Sequence, residues 1–348
     1  MTGFPGFIAG RLLRQLAKGG GRFLLLVQPS FIERANEELK SIAGEMGRVP
    51  ADFVVIPGDI TAPDLGLSQK DLETVRSEAT VVFHLAAIYD LAVAQDLAVR
   101  VNVGGTRTVN QFAGSLRRLK HYHYVSTCYV AGKRSGVILE SELQHDAGFR
   151  NHYEETKYLA EIEVDRLKSE MPVTIHRPAV VCGDSRTGET AKYDGIYYLI
   201  RYLLKWPSVL GAFNIGNSEV ALNLVPVDFV VEAMATLALD SSAIGKTIQL
   251  ADPRPLTTRE LFDTIARSLD GKASRLTLPA PLVEASLKLP LSPKITDLPH
   301  SAVPYFFIKQ TYDTAEATTL LKRYGVFCPP FESYVETITR YAAEHPAL

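Results

Sequence analysis

In the first half of the chain, short apolar runs alternate with longer stretches whose apolar residues recur every three or four positions. The runs Phe23–Gln28, Phe53–Ile56, Val81–Leu85, His121–Ser126 and Val173–His176 are bounded by polar or turn-forming residues and predict buried strands of a parallel sheet. Between them, Val109, Phe112, Leu116 and Leu119 fall at helical spacing and give the segment after Asn102 one buried face. Strands separated by crossover helices in this order predict an α/β, doubly wound parallel sheet. Past Cys182 the alternation fades, prolines gather between Pro279 and Pro304, and helical stretches such as Val227–Leu239 and Thr258–Leu269 take over. The chain is therefore expected to divide into a sheet domain over residues 1–182 and a smaller, mostly helical substrate region over residues 183–348, with some return to the sheet.

Composition changes little in that picture. Lys and Arg number 37 against 39 Asp and Glu, so no basic excess offers a surface for nucleic acid. Cys128, Cys182 and Cys328 are odd in number and widely spaced, which argues against a disulfide framework or a paired-cysteine metal site and fits a reducing, cytoplasmic setting. The start has neither the basic residues nor the apolar stretch of a leader, and no apolar run approaches the roughly 18 residues of a membrane span.

The start does carry chemistry. Thr2-Gly3-Phe4-Pro5-Gly6-Phe7-Ile8-Ala9 has the spacing Gly-x-x-Gly-x-x-Ala and leads at once into a helical run containing Leu12, Leu13 and Leu16. Glycines let a backbone turn tightly against a pyrophosphate, and the open N–H groups of the following helix attract its charge. A plain glycine turn ahead of a helix shows the same spacing, so context decides. A phosphate loop emerges from a buried strand, yet only Met1 precedes Thr2; the first strand is expected to be missing and to need several apolar residues upstream. Roughly twenty residues on, the end of the second strand selects between nicotinamide cofactors through an acid or a base. Leu26-Val27-Gln28-Pro29-Ser30 supplies neither: Gln28 can bond a ribose hydroxyl, and the lack of an acid favours NADP over NAD.

Tyr153-Glu154-Glu155-Thr156-Lys157 sets a tyrosine and a lysine four apart, on one face of a predicted helix. A phenol with a pKa of about 10 is a poor base near neutrality, and a neighbouring ammonium lowers it. The pair can then move a proton to or from a carbonyl oxygen while hydride moves on a nicotinamide. Such spacing is common by chance, and its position gives it weight. Upstream, Tyr124-Val125-Ser126-Thr127-Cys128 ends a predicted strand, the place where open α/β sheets bind ligands. A hydroxyl of Ser126 or Thr127 can polarise a substrate oxygen there, or merely satisfy the backbone of the turn. His84 is expected to be a packed core residue, Cys128 and Cys182 small core residues, and Glu154-Glu155 solvated helix surface.

With Thr2–Ala9, Ser126–Cys128 and Tyr153–Lys157 in this order and spacing, the sequence resembles the extended short-chain dehydrogenase/reductase family over nearly its whole length. Gly58-Asp59-Ile60 looks like that family's adenine-binding loop, and His84-Leu85-Ala86-Ala87 like the segment where small residues let the cofactor pass. Asn102-Val103-Gly104-Gly105-Thr106 is similar to its Asn-x-x-Gly-Thr element, Arg177-Pro178 to the element near the nicotinamide, and Val225–Asp228 to the stretch before a later helix. The resemblance implies catalytic roles for Tyr153 and Lys157, with Thr127 rather than Ser126 as the partner hydroxyl. It implies cofactor contacts from Thr2, Gly3, Phe4, Gly6, Phe7, Ile8, Gln28, Asp59, Ile60, Leu85, Ala86, Ala87, Asn102, Arg177 and Pro178, besides Tyr153 and Lys157. On their residues alone, Asp59 also suits a turn cap and Asn102 a helix N-cap.

Within that family, Ser126–Gly132, Glu154–Glu161 and Gly183–Gly188 are similar to the fatty acyl-CoA and carrier-thioester reductases of the male-sterility-like branch. This implies hydride transfer from NAD(P)H to an acyl thioester, aldehyde or ketone on an apolar substrate, carried on coenzyme A or an acyl carrier protein. A homodimer through long helices is common among the proteins it resembles. The apolar stretch Asp194–Phe213 suits an acyl-chain groove and equally a core helix, with Arg201 and Lys205 on its wet face or on the phosphates of a coenzyme A or carrier arm. Two other readings stand beside this one: a sugar-nucleotide epimerase or dehydratase, and a non-catalytic dinucleotide-binding protein. The joint presence of Thr127, Tyr153 and Lys157 disfavours the last.

Overall fold

The computed structural model describes residues 1–296 and 298–347. The five predicted runs become strands β1 (Phe23–Val27), β2 (Phe53–Pro57), β3 (Val81–His84), β4 (His121–Val125) and β5 (Val173–Pro178), and β6 (Thr247–Leu250) returns from the later region to lie beside β5. Every pairing in this sheet is parallel, in the order β2-β1-β3-β4-β5-β6, with Thr2 bridging Leu26 of β1 and His84 of β3. The position of the expected first strand is thus held by a two-residue rung. The Met1 amino group donates to the Leu24 carbonyl at 2.7 Å, the Met1 carbonyl accepts from the Leu26 amide at 3.0 Å, and the Thr2 amide donates to the Phe83 carbonyl at 2.9 Å.

Helices cover both faces, as parallel strands require. On one face α1 (Phe7–Ala17) and α2 (Ile32–Met46) bury Leu13, Ala17, Leu39 and Ile42 against Leu25 and Val27 of β1. On the other lie α3 (Thr106–Gly114) and α4 (His152–Asp165), whose Val109, Phe112, Ala160 and Val164 meet Tyr122 and Tyr124 of β4 and Val173 and Ile175 of β5. The intervening residues of those strands, His121, His123, Thr174 and His176, are also buried. His123 bonds the carbonyl of Ala238 and its ring stacks on Phe83 at 4.4 Å.

The later region has its own core. Tyr197, Leu199, Ile200 and Leu203 of α5 (Tyr197–Lys205) pack with Phe262, Ile265, Tyr334 and Ile338, and Trp206 at the end of α5 is 67% exposed. Residues past 182 return to the sheet domain at several points: α6 (Val227–Thr236) packs Val230 and Met234 near Leu12 of α1, β6 extends the sheet, Gln310–Tyr312 pairs with Gly136–Ile138, and Leu320 and Leu321 join the cluster of α6. Among the described residues no helix is long and apolar enough to cross a membrane, no cluster of His, Cys, Asp and Glu is arranged to hold a metal, and the cysteines are free.

Candidate active site

The glycine loop runs from the rung at Thr2 into α1. Gly3 has φ +89°, and a Cβ there would come within 2.9 Å of the Ala86 amide nitrogen; one at Gly6 would meet the Gly3 carbonyl oxygen at 2.7 Å. Only glycine leaves this cradle open. Gly6 begins α1 with no capping side chain and no acid in the first turn, so the first amides, those of Phe7 and Ile8, lie at the positive end of the helix. A pyrophosphate fits such a cradle. Thr2 and Phe4 build the loop through their side chains rather than facing a ligand. The buried Thr2 hydroxyl accepts from the Leu85 and Ala86 amides at 3.2 and 3.1 Å, and Phe4 sits in the core with Leu13 and Leu25.

His84 is the packed core residue that its apolar strand predicts. It spans Thr2 and Thr106 at 2.8 and 3.1 Å, and burial, helped by the Lys157 charge, lowers its pKa to about 3. Asp59 caps a turn, accepting from the Thr61 amide and hydroxyl at 2.8 and 2.9 Å, while Ile60 is buried and Ala87 half-buried. Asn102 is not a helix N-cap. It accepts from the Ile88 amide at 2.8 Å and donates to Thr156 at 3.0 Å, tying the loop after β3 to α4. Gln28 is exposed at the end of β1.

On α4, Tyr153 and Lys157 lie one turn apart and both are buried. Burial raises the Tyr153 phenol above its usual range; a hydrogen bond with the Thr127 hydroxyl pulls it back, and the Glu154 charge pushes it further up. The Lys157 ammonium donates to the Tyr124 hydroxyl at 3.0 Å and the Val125 carbonyl at 2.8 Å, and burial brings its pKa down to about 7 against the pull of Glu161. In this structure β4 thus holds the Lys157 ammonium, and the Thr127 hydroxyl is the group that favours the phenolate.

Ser126 faces elsewhere. Its hydroxyl donates to the Glu161 carboxylate, which also receives Nε and a terminal nitrogen of Arg177 at 2.8 and 2.6 Å, all three residues being buried. The guanidinium of Arg177, expected near the nicotinamide, is thus turned into the core because the alternation of β5 points it there; Pro178 ends the strand. Glu161 escaped sequence reasoning, its one signal being its place four residues after Lys157 on the same helix face. Glu154 is a second correction. It is fully buried, accepting from the Tyr305 hydroxyl at 2.5 Å and the Arg150 amide at 3.0 Å, because residues around Tyr305 fold over the start of α4. Cys128 and Cys182 are buried, as expected, with thiols pushed up by burial.

Beside Tyr153 opens a cavity of about 430 Å³ walled by Tyr89, Tyr129, Tyr198, Tyr305 and Phe306 and rimmed by Asp90, Lys192 and Asp194. Tyr89 meets Tyr153 edge-on at 5.1 Å, and Lys192 lies 4.2 Å over the Tyr89 ring and 2.8 Å from Asp194. Tyr198 and Phe306 also border a narrow apolar cleft of about 50 Å³ with Tyr202 and Phe262. The stretch Asp194–Phe213 is accordingly core on one side and cavity wall on the other, and Arg201 lies over the Tyr193 ring at 5.8 Å.

The profile of the NAD-binding male sterility protein family matches residues 1–234. The chain belongs to this family. The family's profile is that of an NAD-binding domain, which agrees with the parallel sheet and the glycine loop that opens α1. A linear gramicidin synthase of Brevibacillus parabrevis is 24% identical over 79% of this chain, and fatty acyl-CoA reductase wat of Drosophila melanogaster 28% identical over 54%. The chain spans 5% of the first and 41% of the second. The terminal R domain from the myxalamid PKS-NRPS biosynthetic pathway shares the fold over 100% of this chain and 90% of that one, with a TM-score of 0.83 at 24% identity.

Proposed function

We propose that this chain reduces the carbonyl of an apolar acyl thioester to the aldehyde, with NADPH as the hydride source. The observation that carries the reading is the placing of Tyr153 against Tyr89 and of Thr127 against Tyr129, two residues that wall an aromatic cavity of about 430 Å³. A volume in that range suits a small-molecule site. The relation to a fatty acyl-CoA reductase supports a thioester as the substrate class.

Gly3, Gly6 and the first turn of α1 would hold the pyrophosphate of a nicotinamide dinucleotide and Lys157 its ribose, and the cofactor, when bound, would supply the hydride. Tyr153, kept protonated by burial, donates to the carbonyl oxygen as hydride reaches the carbon. Thr127 bonds the same oxygen and orients it. Loss of the thiol then leaves the aldehyde. The apolar chain of the substrate lies against Tyr198 and Phe306, and Lys192 at the rim meets the polar arm of coenzyme A or of a carrier protein. The adjoining cleft holds about 50 Å³, against the roughly 150 Å³ that admits benzene in an engineered cavity, so a long chain has to displace Tyr202 or Phe262.

Tyr153→Phe is expected to lower turnover of octanoyl-CoA with NADPH by about a hundredfold or more while NADPH affinity, followed by nicotinamide fluorescence, stays the same. Undiminished turnover in that variant would overturn the reading. The exposed, neutral Gln28 leaves room for a 2′-phosphate, and Gln28→Asp is expected to shift the ratio of kcat/KM values toward NADH.

A further inference from the structure

We infer that Tyr305 is a positioning residue for this reaction, holding the two elements that carry Tyr153 and Thr127 against one wall of the substrate cavity. The inference rests on the reading of Tyr153 as the acid. Tyr305 is buried, and its hydroxyl donates to Glu154 at 2.5 Å and accepts from the Asn151 amide at 2.7 Å. Asn151 is also the N-cap of α4, accepting from the Glu154 amide at 3.0 Å, so both partners of the phenol belong to the turn that contains Tyr153. The Tyr305 ring packs on Tyr129 at 4.5 Å between ring centres, and the Tyr129 amide donates to the Thr127 hydroxyl at 3.2 Å. One side chain therefore reaches both members of the hydroxyl pair, each through a single intermediary.

Tyr305 also lines the cavity, next to Phe306, which borders both the cavity and the apolar cleft. A substrate pressing on that wall bears on the segment that fixes the first turn of α4. Small displacements of reacting groups carry large rate penalties, so a residue that sets the Thr127–Tyr153 geometry acts on turnover more than on binding. A plain hydrophobic plug would need neither the buried carboxylate nor the cap amide aimed at its hydroxyl.

Tyr305→Phe keeps the ring and the cavity wall and removes the hydroxyl. With octanoyl-CoA and NADPH, kcat is expected to fall about tenfold, equivalent to about 1.4 kcal/mol, while the KM for octanoyl-CoA and the Kd for NADPH change less than about twofold. Asn151→Ser retains a capping oxygen and loses the amide that reaches Tyr305, and a smaller loss in kcat is expected from it. If Tyr305→Phe does not fold, Asn151→Ser carries the test. Unchanged kcat in the folded variants, with only a lower unfolding temperature, overturns the inference. A reading without turnover comes from 3-fluorotyrosine in place of Tyr153: its fluorine resonance is expected to move when Tyr305→Phe is added, and an unmoved resonance also overturns the inference. Survival of turnover in Tyr153→Phe defeats the acid reading itself, whereas an inactive Tyr153→Phe beside a fully active Tyr305→Phe defeats only the role given to Tyr305.

Discussion

Lys157 holds its ammonium between the Tyr124 hydroxyl and the Val125 carbonyl, and burial brings its pKa down to about 7. Below that pH it is a cation able to bond a ribose hydroxyl; above it the amine is neutral. Tyr153 stays protonated across the same range because burial raises it. Reduction is therefore expected to weaken as pH rises through about 7, through looser cofactor binding, and Lys157→Arg, whose guanidinium keeps its charge, should flatten that limb. Profiles of kcat/KM for NADPH between pH 6 and 9 check this, and a flat profile for the unaltered chain counts against it. The two neighbouring hydroxyls are placed just as differently. Thr127 faces Tyr153, while Ser126 is bound to Glu161.

Along α4, successive turns have distinct duties: Asn151 and Glu154 anchor its start to Tyr305, Tyr153 and Lys157 face the site, and Glu161 closes on Arg177 and Ser126. Removing one partner of a buried ion pair leaves an uncompensated charge, so Glu161→Leu is expected to cost about 3–5 kcal/mol in urea unfolding, with much of it recovered when Arg177→Met is added. The strands and the Tyr–Lys face of this helix were legible because buried parallel strands and helical periodicity depend on local pattern. The rest depended on partners far along the chain. Two adjacent glutamates are what a wet helix face shows, and Glu154 is covered by Tyr305, 151 residues later in a proline-rich stretch with no periodicity to announce it. The Arg-Pro element predicts Arg177 near the nicotinamide, whereas the direction of its guanidinium follows from strand alternation and from Glu161.

At the scale of the whole molecule, buried histidines set the response to acid. His123 donates through Nε2 to the Ala238 carbonyl, which leaves its Nδ1 to accept from His176 Nε2 at 3.0 Å. His176 Nδ1 is then an acceptor with no partner among the described residues. Burial lowers His84 and His176 to about 3 and His123 well below its ordinary value. The unfolded chain binds protons on these rings below about pH 6.5 and the folded chain does not, so their contribution to stability is full above that pH and falls as pH drops toward 3. Each such ring contributes about 1.4 kcal/mol per pH unit in that window. Burial lowers a fourth ring, His121, to about 4, while Glu140, raised to about 7 by burial, and Asp252, also raised by burial, act in the opposite sense. The urea midpoint is expected to be lower at pH 5 than at pH 7.5, and His123→Phe should reduce the difference.

Trp206 is the only tryptophan in the chain, and it stands 67% exposed at the end of α5. Indole emission therefore reports from one spot in the substrate region, already wet in the native state, and carries no signal from the sheet. An unfolding curve drawn from it follows a different part of the molecule from one drawn by circular dichroism, and the two together can tell whether the region around α5 loosens before the sheet does.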